Sequence, residues 1–216
     1  MEEYTPHQIK DFLTEEQITD LIFRHQNNPQ TITKNTGPKV THNLECETMD
    51  IILSKLKEQF NFSGICNTQI FDVNKPHILH NDWGEDDKGR GLAFLMPLRH
   101  NGDRNPGFVL YDQYYKKGAV KLYGGGPGPK NVYYNTPLLS YEDVEYTTEN
   151  TFDEVLYNKF LTHINLKWVQ GLSVYKIFEW LPTSLIVFHR NNIHSATDFT
   201  KLGITEKIGL SVFTYA

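Results

Sequence analysis

Six runs of β-branched and aromatic residues recur from Asn67 onward: "NTQIFDV", "GLAFLMPL", "GFVLYDQYY", "LSVYKIFEW", "SLIVFH" and "KIGLSVFTY". Side chains of this shape pack well on a pleated surface, and the Gly, Pro, Asn and Asp residues between the runs end strands, so this part of the chain predicts a β-rich core. Upstream, the periodicity is helical. In "DFLTEEQITDLIFRH", Thr14 and Gln17 have capping-box spacing and Ile18, Leu21 and Ile22 share a face. Met49, Ile52, Leu53, Leu56 and Phe60 form a second apolar stripe, opposite Lys55, Lys57 and Glu58. Helices first and short strands after predict an α+β, mainly β domain: an antiparallel sandwich or barrel buttressed by N-terminal helices.

A chain of 216 residues that is 39% hydrophobic supports one sizeable core, so residues 1–216 are expected to form a single domain. The segment 123–171 breaks the strand rhythm and reads as an insertion. It opens on "GGGPGPK" and carries a helical pattern at Phe152, Val155, Leu156 and Phe160. The glycine cluster lacks the GK[ST] ending of a phosphate cradle, and Pro127 and Pro129 remove N–H donors such a loop needs. The insertion is expected to act as a substrate-side lid, the alternative being a flap over an edge strand. A net charge of −5 gives no electrostatic reason to expect a nucleic-acid partner. No apolar run approaches the ~20 residues that cross a bilayer, and the start lacks a basic-then-apolar leader, so a cytoplasmic protein is expected. Cys46 and Cys66 are too few for a thiolate zinc site or a disulfide framework and are expected to be reduced.

The stretch "KPHILHNDWGED" brings histidines and acids together just beyond a predicted strand. In extended chain, His80 and Asp82 point one way and Asn81 the other, so one imidazole and one carboxylate can share a metal. An H-x-D pair alone is weak evidence. "TSLIVFHRNNIHSATDF" adds to it, since the apolar run ends at Phe188 and His194 follows in what reads as a polar loop. Two histidines and a carboxylate on one face of a metal, with the other positions open, is the donor set of non-haem Fe(II) oxygenases. A closed zinc site would need another Cys or His, and the one neighbour, His77, falls at i−3 from His80 on the opposite face of a strand. In "ITEKIGLSVFTYA", Lys207, Gly209 and Ser211 share one face and Ile208, Leu210 and Val212 the other, apolar one. The Lys207 ammonium is placed to pair with the far carboxylate of a dicarboxylate co-substrate, and Gly209 to leave room for its methylenes.

These residues resemble the Fe(II)/2-oxoglutarate-dependent oxygenases, and within them the prolyl-4-hydroxylase-like branch. "IKDFLTEEQITDLI" is similar to that branch's opening helix. "FDVNKPHILHND" resembles its aromatic, turn and H-x-D pattern, and "LAFLMPLRHNGDRNPGFVLYD" its next strand pair. "SLIVFHRNNIHSATDF" and "KIGLSVF" are similar to its distal-histidine and co-substrate strands. The resemblance implies a double-stranded β-helix, or jelly-roll, with catalytic iron held by His80, Asp82 and His194. It also implies 2-oxoglutarate bound by Lys207 with Ser211 and Phe71 beside it, O2 as second co-substrate and ascorbate as a reductant. The implied reaction hydroxylates an unactivated C–H bond, with succinate and CO2 as co-products.

Three positions depart from the pattern. Phe71 stands where many relatives have tyrosine, Asn74 replaces a turn glycine, and Gly209 occupies a position that often carries a hydroxyl, for which Ser211 is the substitute on the same face. The substrate implied is prolyl or peptidyl, or else a small molecule, with Trp83 and Arg90 expected to line its groove. Similar chains occur among bacteriophage oxygenases, so a phage-infected host is one expected setting. The competing reading is a non-oxidative, cupin-like metal- or ligand-binding jelly-roll, which has no evident need for Lys207 and Gly209 together. A nucleic-acid base demethylase would need a basic channel, and the acidic balance argues against it.

Overall fold

The computed structural model describes residues 4–33, 38–82, 91–115, 144–145 and 151–215. Trp83, Arg90, the glycine-rich stretch and most of the expected lid lie outside these. In chain order the elements are β1 (His7–Ile9), α1 (Glu15–Asn27), β2 (Ile32–Thr33), β3 (Lys39–His42), α2 (Glu47–Gln59), β4 (Gly64–Val73), β5 (Leu92–His100), β6 (Gly107–Tyr115) and β7 (Val144–Glu145). Then follow α3 (Glu154–Phe160), α4 (Leu166–Val169), β8 (Val174–Glu179), β9 (Leu185–His189), β10 (Asn192–Ala196), a 3₁₀ turn (Phe199–Leu202) and β11 (Lys207–Tyr215). No helix among the described residues is long and apolar enough to cross a membrane.

The first helix begins where its cap dictates. The Thr14 hydroxyl accepts from the Gln17 N–H at 3.2 Å while the Thr14 N–H donates to Gln17 Oε1 at 3.0 Å. The strands build two antiparallel sheets. The larger runs β1-β9-β5-β11-β4-β3-β2; the smaller sets β6 between β10 on one side and β8 and β7 on the other. This is the double-stranded β-helix arrangement, with β11 in the middle of the larger sheet between β4 and β5.

Period-two alternation divides the larger sheet's side chains between two cores. Phe94, Met96, Leu98, Ile208, Leu210 and Val212 face α1 and α2, packing on Leu21, Ile22, Ile52 and Leu56. Ala93, Leu95, Ile186, Phe188 and Phe213 face the other way and meet Phe108, Leu110, Phe178 and Trp180 between the sheets. The predicted split of β11 is therefore observed. Residues 152–172 cover the outer face of the smaller sheet, where Phe152, Leu161, Ile164, Val169 and Leu172 pack against Val109, Tyr111 and Ile193. The described end of the expected insertion is thus core-forming cover. Cys46 and Cys66 are free and half-buried.

Several elements depart from the sequence reading. β1 precedes the first helix, and the β2–β3 hairpin lies between the two helices; both are short edge additions with little periodicity to read. His194 is not in a loop: it lies in β10, paired with Leu110 of β6. "NIHSA" reads as polar because its main-chain groups, rather than apolar side chains, tie it into the sheet. Asn74 makes no use of the left-handed backbone allowed to it, since the positive-φ non-glycine residues described are Asp11, Asn43 and Thr183.

Candidate metal centre

β9 ends at His189, and a turn at Arg190 and Asn191 carries the chain from the larger sheet into β10 of the smaller one. There His194 forms an isolated bridge with His80: each N–H donates to the other's carbonyl, at 3.0 and 2.9 Å. Directly paired residues of an antiparallel bridge project to the same side. The two imidazole centroids are 4.0 Å apart. Asp82, two residues on, brings Oδ1 to 3.8 Å from His80 Nε2 and Oδ2 to 3.3 Å from His194 Nε2. The three ligand atoms lie within 4.8 Å of one another, close enough to hold one metal ion.

Both rings are oriented for that task. His80 Nδ1 is 2.8 Å from the Ile78 carbonyl and His194 Nδ1 is 3.0 Å from the Asn192 carbonyl. A carbonyl can only accept, so each Nδ1 carries the proton and each Nε2 turns a lone pair toward Asp82. Phe108 and Phe188 wall the His194 ring at centroid distances of 5.1 and 4.9 Å. In this dry setting burial pulls His80 well below the ordinary histidine range and His194 down to about 3. Burial also pushes Asp82 up to about 7, opposed in part by Arg190. The protein alone thus disfavours charge on all three ligands, and a bound divalent cation inverts that balance.

Arg190 is a supporting residue that sequence reasoning did not find. Its side chain is 5% exposed, and its Nε and Nη2 donate to the Asp82 carbonyl at 3.0 and 2.8 Å while Nη1 donates to the Thr214 carbonyl at 3.1 Å. The Asp82 N–H in turn donates to the Arg190 carbonyl at 2.8 Å. Gly91 lets β5 start against this clamp, because a Cβ there would lie 1.8 Å from the Thr214 oxygen. Replacing Arg190 with methionine keeps the apolar stem and strands two carbonyls. We expect about tenfold weaker metal binding and a loss of stability on the order of 2–4 kcal/mol, read by metal titration and thermal melting.

His77 departs from its expected place. Its ring centroid is 4.0 Å from that of His80, although the residue is exposed. Residues 74–79 are irregular rather than strand, so period-two counting does not apply to them.

Lys207 begins β11 at 4% exposure, its Nζ 3.6 Å from the Trp180 ring centre and 5.4 Å from that of Phe199. Burial pulls its pKa down to about 7, and no acid among the described residues acts on it. Gly209 is opposite Phe71 in the register, and its open side is taken by protein: a Cβ would lie 2.6 Å from Phe71 Cζ and 2.7 Å from Trp180 Cζ2. The room expected for co-substrate methylenes is filled there by two rings. Ser211, also buried, lies two residues further on.

Fold and site together define a class: a double-stranded β-helix with a His-x-Asp and distal His cluster between its sheets. No protein-family model and no curated protein matches the chain. Solved structures do. A prolyl-4-hydroxylase from Pseudomonas putida aligns at TM-score 0.53 and 10% identity, over 98% of this chain and 92% of that one. The viral collagen prolyl hydroxylase of Paramecium bursaria Chlorella virus-1 aligns at 0.54 and 11%, over 99% and 97%. The non-haem α-ketoglutarate-dependent epimerase SnoN from nogalamycin biosynthesis aligns at 0.55 and 9%, over 98% and 78%. At such identity the likeness is one of fold.

Proposed function

We propose that this chain is a single-domain Fe(II)- and 2-oxoglutarate-dependent dioxygenase that hydroxylates an unactivated C–H bond. One observation carries the reading. A three-ligand cluster walled by Phe108 and Phe188 and a buried lysine against Trp180, with no acid among the described residues acting on it, border the same apolar cluster between the sheets. His80, Asp82 and His194 would hold the iron, leaving its remaining positions for 2-oxoglutarate and O2. Together these groups supply the oxidative decarboxylation R–H + 2-oxoglutarate + O2 → R–OH + succinate + CO2. The chain's part is to fix the ligands through their Nδ1 protons, meet the far carboxylate with Lys207, and exclude water with Phe108, Phe188 and Trp180. A prolyl or peptidyl substrate is the class we propose, supported by two aligned structures that are prolyl hydroxylases. Trp83 and Arg90 are proposed to contact that substrate.

The deciding experiment adds 2-oxoglutarate to the anaerobic Fe(II) protein and then admits O2. A weak visible charge-transfer band followed by succinate is expected. Retention of metal with neither signal would overturn the reading in favour of a non-oxidative jelly-roll.

Lys207 also sets a pH dependence. A dicarboxylate stabilises the ammonium, so binding raises a pKa that lies at about 7 in the ligand-free protein. Above that pH, binding takes up a proton, and affinity for 2-oxoglutarate should fall by up to about tenfold per pH unit; below it this group imposes no slope. His163, on which Lys207 acts, has its own pKa lowered, mainly by burial. Calorimetry at pH 8 in two buffers of different ionisation enthalpy reads the proton directly, and equal heats would refute the coupling.

A further inference from the structure

Trp180 is 1% exposed, and its indole Nε1 is buried with no hydrogen-bond partner among the described residues. A buried donor left unmade is costly, and native structures rarely keep one without a use. Its place indicates the use. The residue follows β8 with its N–H on the Pro106 carbonyl, and its side chain enters the space between the sheets beside Phe178. The Cζ2–Cη2 edge of the indole lies against Gly209, and Nε1 is attached one atom further along that edge, at Cε2. The face of the same ring carries Lys207 Nζ at 3.6 Å. The buried ammonium of Lys207 and the orphaned indole N–H of Trp180 therefore belong to a single contact pair, beside a Phe71 that brings no hydroxyl.

We infer that Trp180 is a co-substrate-binding residue: its Nε1–H donates to the far carboxylate of the 2-oxoglutarate that Lys207 neutralises. This rests on the dioxygenase reading above. Gly209 is then required by the indole, since any Cβ there would push the ring off the ammonium. The ring holds Lys207 through its π face while the carboxylate is away and offers its N–H when the carboxylate arrives. A 2-oxo acid without a second carboxylate has nothing for either group to hold, so the pair selects dicarboxylates.

The test replaces Trp180 with benzothienylalanine, which keeps the ring's shape and puts sulfur where the N–H was; Trp180→Phe is the genetically simple companion. Equilibrium binding is measured by calorimetry on the anaerobic Fe(II) protein, with 2-oxoglutarate and with pyruvate as probes. We expect 2-oxoglutarate to bind about tenfold more weakly or worse, with pyruvate and iron affinity unchanged. If wild-type and benzothienylalanine proteins bind 2-oxoglutarate equally, the role of Trp180 is refuted while the dioxygenase reading stands. If the iron-loaded wild type binds no 2-oxoglutarate, both fall together.

Discussion

Replacing His80 with alanine should abolish both iron retention and succinate formation. The imidazole is one of three donors, and the position opposite it in the bridge is another, so its loss halves the nitrogen set and leaves Asp82 and His194 to hold a divalent ion alone. Two protein ligands rarely keep such an ion against dialysis. The fold should survive, because the bridge is made by main-chain groups: the residue 80 N–H still reaches the His194 carbonyl whatever its side chain. The ring removed is neutral and lies between those of His77 and His194, so its absence costs packing and no charge pair. A loss of about 1–2 kcal/mol, hence a few degrees in Tm for a chain of this size, is the expected structural price. Metal analysis after dialysis, a melting curve and a succinate assay separate these effects. An alanine variant that keeps a full equivalent of iron and full turnover would remove His80 from the site.

That cluster was half legible in the sequence. His80 and Asp82 stand two apart, and alternation along an extended chain needs no tertiary knowledge. The third ligand was legible as a residue and not as an element, since β10 is short, its polar side chains hide its strand character, and its partner β6 lies far away in the chain. The long strands were the easiest to read: "GFVLYDQYY" and "KIGLSVFTY" match β6 and β11 end to end, because residues buried on both faces leave continuous β-branched and aromatic runs. Arg190 was illegible for a physical reason. Its partner is the main-chain carbonyl of Asp82, 108 residues away, and a carbonyl carries no residue type for a motif to record. In the sequence Trp180 is only the end of the strand-like run "LSVYKIFEW"; the packing of its ring on Gly209 is what shows why the glycine is there.

Lys207→Met should raise the Michaelis constant for 2-oxoglutarate roughly ten- to hundredfold while leaving the ligand-free protein as stable as before, or more so. The two halves of this expectation have one cause. In the ligand-free protein the ammonium sits against Trp180 and Phe199 with no acid among the described residues acting on it, and its depressed pKa reflects that burial. Methionine fills the same apolar slot without a charge, so the folded state loses nothing it needs. With co-substrate bound the balance reverses, because a charge-assisted hydrogen bond to a carboxylate contributes on the order of 1.5–3 kcal/mol. Two other described cations are already engaged: Lys201 Nζ donates to the Asn158 carbonyl at 2.7 Å, and Arg190 is committed to Asp82 and Thr214. Iron affinity should stay at the wild-type value, since no ligand atom touches the lysine. Steady-state kinetics at saturating O2, beside thermal melts of the metal-free proteins, read both halves. An unchanged Michaelis constant would strip Lys207 of its binding role, and a sharply lowered Tm would mean that the ammonium stabilises the fold rather than awaiting a ligand.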